Sequence, residues 1–161
     1  MKLPALLAAA LLLAGTALAQ NPAQIARAGG GANCPGCNLF QADYSNKDLK
    51  GRNFAGARLR QSDLSLSVMN RTSFARADLR DVNAYGAVFS SANFSGADLT
   101  NATFVGAFLE GSNFSGARLN GANFSGAEMR RVSGLSQAQL MTACGDGSTL
   151  LPPGMRIPAC R

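Results

Sequence analysis

From Cys34 onward, every fifth residue is apolar for one hundred residues. The series runs Cys34, Leu39, Tyr44, Leu49, Phe54, Leu59, Leu64, Met69, Phe74, Leu79, Ala84, Phe89, Phe94, Leu99, Phe104, Leu109, Phe114, Leu119, Phe124 and Met129. With 47% of the chain apolar, chance gives twenty hits in one register with odds on the order of 10⁻⁷. Neither a helical period of about 3.6 nor a strand period of 2 accommodates five. Ala stands two residues before 12 of these 20 centres, and Gly two residues after 10 of them. A fixed period without insertions is the mark of a solenoid, in which each turn of chain packs only on its neighbours.

The runs Ala92-Asn93-Phe94-Ser95-Gly96, Ala97-Asp98-Leu99 and Ala122-Asn123-Phe124-Ser125-Gly126 resemble the A-(D/N)-(L/F)-x-x unit of the pentapeptide-repeat family. The likeness covers residues 32–131. It implies an all-β solenoid, a right-handed quadrilateral β-helix with four pentapeptides per square coil. It also implies that each centre and the residue two before it point inward, while the other three face water.

A twenty-residue coil can be checked within the chain. Every fourth centre reads Cys34, Phe54, Phe74, Phe94, Phe114, and the next column reads Leu39, Leu59, Leu79, Leu99, Leu119. Like side chains nest when coils stack at one strand spacing, about 4.8 Å. About five coils are expected, in a rod about 24 Å long. Ala84 is the one small centre, with Val82 at the inward position before it. Lys47 and Arg52 also fall at inward positions. Burying such charges is costly, so a distorted first coil is expected.

The ends read differently. Residues 1–19 have the pattern of a signal peptide: Lys2, an apolar stretch from Leu6 to Leu13, and Ala17-Leu18-Ala19 as a cleavage site. Its removal would lower the net charge from +6 to +5 and leave no transmembrane anchor in the mature chain. Residues 20–31, with three consecutive glycines, are expected to be a flexible lead-in. Residues 132–161 are expected to cap the far end. There Ser136-x-x-Gln139 signals a short helix, and Pro152-Pro153-Gly154 a turn.

Export, to the periplasm or beyond, places Cys34, Cys37, Cys144 and Cys160 where two disulfides form. With the pairs at opposite ends of a rod, local pairing is favoured. Cys34-Pro35-Gly36-Cys37 also has the spacing of a redox CxxC, so a thiol–disulfide role stays open beside a structural staple.

Little else carries chemistry. The absence of His excludes imidazole-based nucleophilic catalysis and most zinc sites. No cofactor and no metal site is expected. Asp78 and Asp98 stack beside Arg58, Arg60, Arg80 and Arg118, as do Asp43 and Asp63 on another face, which reads as surface charge ladders. Some cytoplasmic pentapeptide-repeat proteins mimic duplex DNA and inhibit gyrase, a role that requires an acidic rod. A pI near 9.7 and an export signal disfavour it, and nucleic acid is not an expected partner.

One anomaly is apolar. Outward positions should be polar, yet Leu66, Val68, Tyr85, Val88, Val105 and Phe108 run along one edge over three coils. They form a candidate docking strip for a protein, an envelope component or a second copy. The expectation is a non-catalytic binding or structural module of the bacterial envelope.

Overall fold

The computed structural model describes residues 19–161. The expected signal peptide lies, but for Ala19, outside them. Parallel pairings join residues twenty apart in four series. One runs from Asn38 through Arg58, Asp78 and Asp98 to Arg118, and another from Asp43 through Asp63, Asn83 and Thr103 to Asn123.

The pentapeptide accounts for nearly every backbone donor it contains. In the unit around Phe94, the Phe94 N–H donates to Asn113 O (2.8 Å) in the following turn of chain, and Asn93 N–H to Thr72 O (3.0 Å) in the preceding one. At the corner, Gly96 N–H donates to Ser115 O (2.8 Å), and Ala97 N–H closes a turn onto Phe94 O (3.0 Å). The remaining donor, Ser95 N–H, reaches the Asn93 side chain at 3.0 Å. That last bond explains the Asn or Asp that precedes 12 of the 20 centres. Asp43, Asn53, Asp63, Asp98, Asn113 and Asn123 do the same for the N–H two residues on. The corner residue has φ near +60°, from Gln41 at 55° to Gly111 at 74°. Gly recurs there because an L side chain is strained in that region.

The inside is dry and columnar. Phe54, Phe74, Phe94 and Phe114 stack with successive ring centroids 5.7, 5.3 and 5.1 Å apart, in the offset range where aromatic pairs attract. Phe89 meets Phe74, Phe94 and Phe104 edge-on and Ala84 is fully buried. Where Ser or Thr replaces the inward Ala, the hydroxyl donates to a carbonyl: Ser62 to Leu39 O, Ser67 to Leu64 O, Thr72 to Leu49 O and Ser112 to Phe89 O. Each of these four buried hydroxyls is thereby satisfied.

Two sequence expectations change at the N-terminal end. Residues 20–31 are not a flexible lead-in, since Pro22–Gly29 forms helix α1. Asn21 caps it by accepting from Gln24 N–H, and Pro22 occupies the first turn, both standard start signals. Ala28 is buried, Tyr44 Oη donates to Ile25 O (3.1 Å) and Asn38 N–H to Gln24 Oε1 (2.7 Å), so α1 sits on the end of the solenoid. Nor is the first coil distorted. Its pairing starts regularly at Asn38 with Arg58. Lys47 is exposed, because at the end of a stack a long side chain can leave through the open mouth. Arg52, by contrast, is half-buried beneath Gly31 with its Nε buried and unpaired, so part of the expected cost of an inward charge remains there.

At the far end, Gln137–Leu140 forms the short helix α2, opened by the Ser136–Gln139 capping box. Gln139 Nε2 donates to Phe114 O and Ala117 O, and Thr149 Oγ1 to Phe124 O. These bonds close carbonyls that would otherwise face the open end. Cys34 pairs with Cys37 and Cys144 with Cys160.

Two stability outcomes follow. Phe94→Ala, which removes a ring touching four others, should cost about 3–5 kcal/mol in urea unfolding. Cys144→Ser with Cys160→Ser should cost about 3 kcal/mol, the value for a loop of that size.

Candidate functional site

The side faces offer side chains only, because their backbone groups are used between turns. Most outward side chains follow the repeat. Asp78 and Asp98 are paired neighbours knitted to Arg80 (2.7 Å to Asp78, 4.0 Å to Asp98) and to Arg118 (3.9 Å to Asp98), with Arg60–Asp81 at 3.2 Å alongside. The hydrogen-bonded Arg80 guanidinium holds the Asp78 carboxyl below the usual carboxylate range, with partial burial opposing. A depressed carboxylate is the opposite of a general acid. This face is a charge ladder. At the N-terminal end, the outward Phe40 ring is covered by the Arg58 guanidinium, 4.8 Å from the centroid.

The expected strip is present as a continuous edge. Asp48, Val68, Val88, Phe108, Glu128 and Leu150 form one paired series. Beside it, Leu66 N–H donates to Tyr85 O and Gly86 N–H to Val105 O, both at 2.9 Å, so the corner residues stack as well. Leu66, Tyr85 and Phe108 are 53%, 53% and 54% exposed, and Val68, Val88 and Val105 are half-buried.

These residues forgo what the repeat otherwise provides. Val68, Val88 and Phe108 occupy the Asn/Asp position but carry no oxygen for the N–H two residues on. Ser90 N–H is served instead by Asn70 Oδ1 (3.1 Å) from the turn before. Leu66 stands at the left-handed corner with φ 56°, where Gly86, Gly106 and Gly126 occupy the same column. It lies so close over Gly86 that a Cβ there would come within 2.9 Å of its Cδ2. Eight other non-glycine corners share a positive φ, so what sets Leu66 apart is that it is apolar and exposed there.

Sequence reasoning missed the continuation. Leu150, 41% exposed, extends the Val88–Phe108 series past Glu128. It leads toward a cleft of about 460 Å³ lined by Glu110, Arg130, Arg131, Leu151 and Pro153. Arg131 pairs with Glu110, and Arg130 with Glu128. Leu150 follows Glu128 by twenty-two residues, so a strict period could not find it. Among the described residues no helix is long and apolar enough to cross a membrane.

A family model described as pentapeptide repeats matches eight copies, over residues 32–71, 53–90 and 92–131. The chain belongs to the pentapeptide-repeat family. Its members fold as right-handed quadrilateral β-helices and are generally non-catalytic structural or binding modules. Among solved structures, the chain is similar to HetL, a pentapeptide repeat protein involved in heterocyst differentiation regulation in Nostoc sp. strain PCC 7120. Identity is 26%, with 81% of this chain and 61% of HetL covered and a TM-score of 0.43. A thylakoid lumen pentapeptide repeat protein of Arabidopsis thaliana is 31% identical over 59% of this chain and 70% of its own, with a TM-score of 0.38. QnrB1, a plasmid-mediated fluoroquinolone resistance protein, is 20% identical over 70% of this chain and 79% of its own, at 0.35. The chain thus spans about three-fifths of HetL's length. No curated protein matches it.

The charge ladder yields a pH outcome. A folded-state pKa below the unfolded value stabilises the protein above the unfolded value, near pH 4, and is lost as pH falls through the folded one. Asp78→Asn keeps the oxygen that caps Arg80 N–H and removes the charge. The stability gap between parent and variant should therefore be present at pH 7 and close below about pH 4 in pH-dependent urea titrations.

Proposed function

We propose that this protein is an exported, non-catalytic binding rod of the bacterial envelope, about five coils long and closed at both ends by helical caps. Its working surface is the apolar edge Leu66, Val68, Tyr85, Val88, Val105 and Phe108, prolonged by Leu150. The observation that carries this reading is the exposed apolar edge itself: Leu66, Tyr85 and Phe108 stand half in water over successive turns, and Val68, Val88 and Phe108 form one paired series. The Lys2 and Ala17-Leu18-Ala19 pattern supports export, and two end-stapling disulfides suit an oxidising compartment.

The occupant is an extended segment of another protein, laid along the edge with a side chain in the cleft beside Leu151. The edge is a narrow line of residues running along the rod over three turns, a shape that fits an extended segment better than a second folded surface. Its margins carry Asp43 and Asp63 on one side and Lys50 and Arg71 on the other. Such a near-balance gives no pull toward an anionic bilayer.

The test places a p-benzoylphenylalanine photocrosslinker at position 108 in producing cells, with the same probe at position 93 as a control on another face. A discrete adduct to one segment of a second protein is expected at 108, absent at 93 and abolished by Val88→Arg. Mass spectrometry of the adduct should find Gln20 as the mature N-terminus. Val88→Arg itself should change stability by less than about 1 kcal/mol, as outward substitutions do. Adducts to lipid alone, to a second copy alone, or equally at both positions would overturn the docking reading. An unprocessed N-terminus would overturn export.

A further inference from the structure

The Cys34–Cys37 disulfide has a neighbour that a plain staple has no use for. Arg27, on α1, places Nη2 3.2 Å from Cys34 Sγ and 3.4 Å from Cys37 Sγ. A disulfide sulfur is a weak acceptor, so the guanidinium gains little from the oxidised pair. A thiolate at the same place would be a full anionic partner, and a nearby Arg lowers a thiol pKa. The contact favours the reduced state. At the other end of the rod, the Cys144–Cys160 sulfurs are approached by neutral oxygens, Ser125 Oγ at 3.5 Å and Asn123 Oδ1 at 3.3 Å from Cys160 Sγ.

Both cysteines are buried, and they differ in what covers them. Cys34 is fully buried beneath α1, with Gln24 O 4.0 Å from its sulfur, while Cys37 is 4% exposed. An incoming thiolate reaches Cys37 more readily, and the electron pair then falls on Cys34, the sulfur nearer Arg27. Burial and the Gln24 carbonyl oppose a charge on Cys34, and the directly bonded Arg27 opposes both.

We propose that Arg27, Cys34 and Cys37 form a thiol–disulfide exchange site whose reductant is a protein dithiol. One thiolate of the dithiol attacks Cys37 Sγ. The Cys34–Cys37 bond breaks, a mixed disulfide forms on Cys37, and Cys34 leaves as a thiolate paired with Arg27. The second thiol of the dithiol, deprotonated, attacks its own sulfur in the mixed disulfide and releases Cys37, which takes up a proton. Two electrons pass to the Cys34–Cys37 pair, and the dithiol becomes a disulfide. The site is independent of the apolar edge, which lies on the sides of the rod.

The experiment equilibrates the purified, oxidised full chain with graded dithiothreitol buffers and reads each disulfide by differential alkylation and mass spectrometry. Cys34–Cys37 should open at a more oxidising potential than Cys144–Cys160. Arg27→Gln should shift its exchange equilibrium about tenfold toward the disulfide, about 30 mV for two electrons. Arg27→Lys should restore part of the shift, and Cys144–Cys160 should not move. Lys47→Gln, which removes an exposed positive charge at the same end of the rod and leaves α1 as it is, should leave the equilibrium in place. In Cys34→Ser, the lone Cys37 should take up glutathione from its disulfide, and in Cys37→Ser the buried Cys34 should not. An Arg27→Gln equilibrium within twofold of the parent, an equal shift in Lys47→Gln, or glutathione on Cys34 rather than Cys37 would overturn the proposal.

Discussion

Everything in this molecule follows from parallel hydrogen bonding between residues twenty apart. Leu39 N–H to Arg58 O and Arg58 N–H back to Cys37 O, both 2.8 Å, are repeated along the chain with one offset. A fixed offset makes each inward position meet the equivalent position of the next turn. In two of the four columns Phe stacks on Phe and Leu on Leu, and in the other two the residues are mixed. One insertion within the repeats would move the following residues out of column. The same bonding gives the pentapeptide its composition: an apolar centre for the core, Ala for the tight inner corner, Asn or Asp to hold the next N–H, and Gly where φ turns positive.

A side face built this way has spent its backbone groups. What it presents to a partner is a lattice of side chains at one strand spacing, and its information lies in departures from the repeat. Polar departures such as Arg80 on Asp78 are absorbed by neighbours. The Leu66–Phe108 edge is not absorbed. Val88 gives up an acceptor, which Asn70 replaces for Ser90 N–H, but Leu66, Tyr85 and Phe108 stay half in water. The Ser and Thr departures inside the core, by contrast, are buried and each recover a hydrogen bond.

The period was legible in the residues because it is the fold. The five-residue period and the Phe and Leu columns can be read from spacing. The twenty-residue coil comes with the family resemblance, and the local cysteine pairs follow only from a rod with two ends. The ends resisted because they obey other rules. Three glycines at 29–31 masked α1, although Asn21 and Pro22 are its cap and first turn. Lys47 looked misplaced only under the assumption that a coil covers each mouth. Leu150 was invisible because the tail reaches the Phe108 column with two extra residues. The position of Arg27 over both sulfurs depends on how α1 docks, and no local pattern encodes that.

The ends are also where reactivity can arise. Along the sides, every inward atom is boxed by turns above and below, so a thiol there would be as inert as the Phe beside it. At the first turn the box has no lower wall, and a helix of different geometry closes it. That closure brings a charged side chain from outside the repeat onto the sulfurs of two inward cysteines. Arg27 reaches Cys34 from an exposed place on α1, so the cation keeps its water while touching a buried sulfur. The C-terminal tail closes its own mouth with Gln139 and Thr149, both neutral, and its disulfide has no such partner. Two staples at the two ends of one rod thus differ in the one respect that sets their chemistry, the charge beside the sulfur.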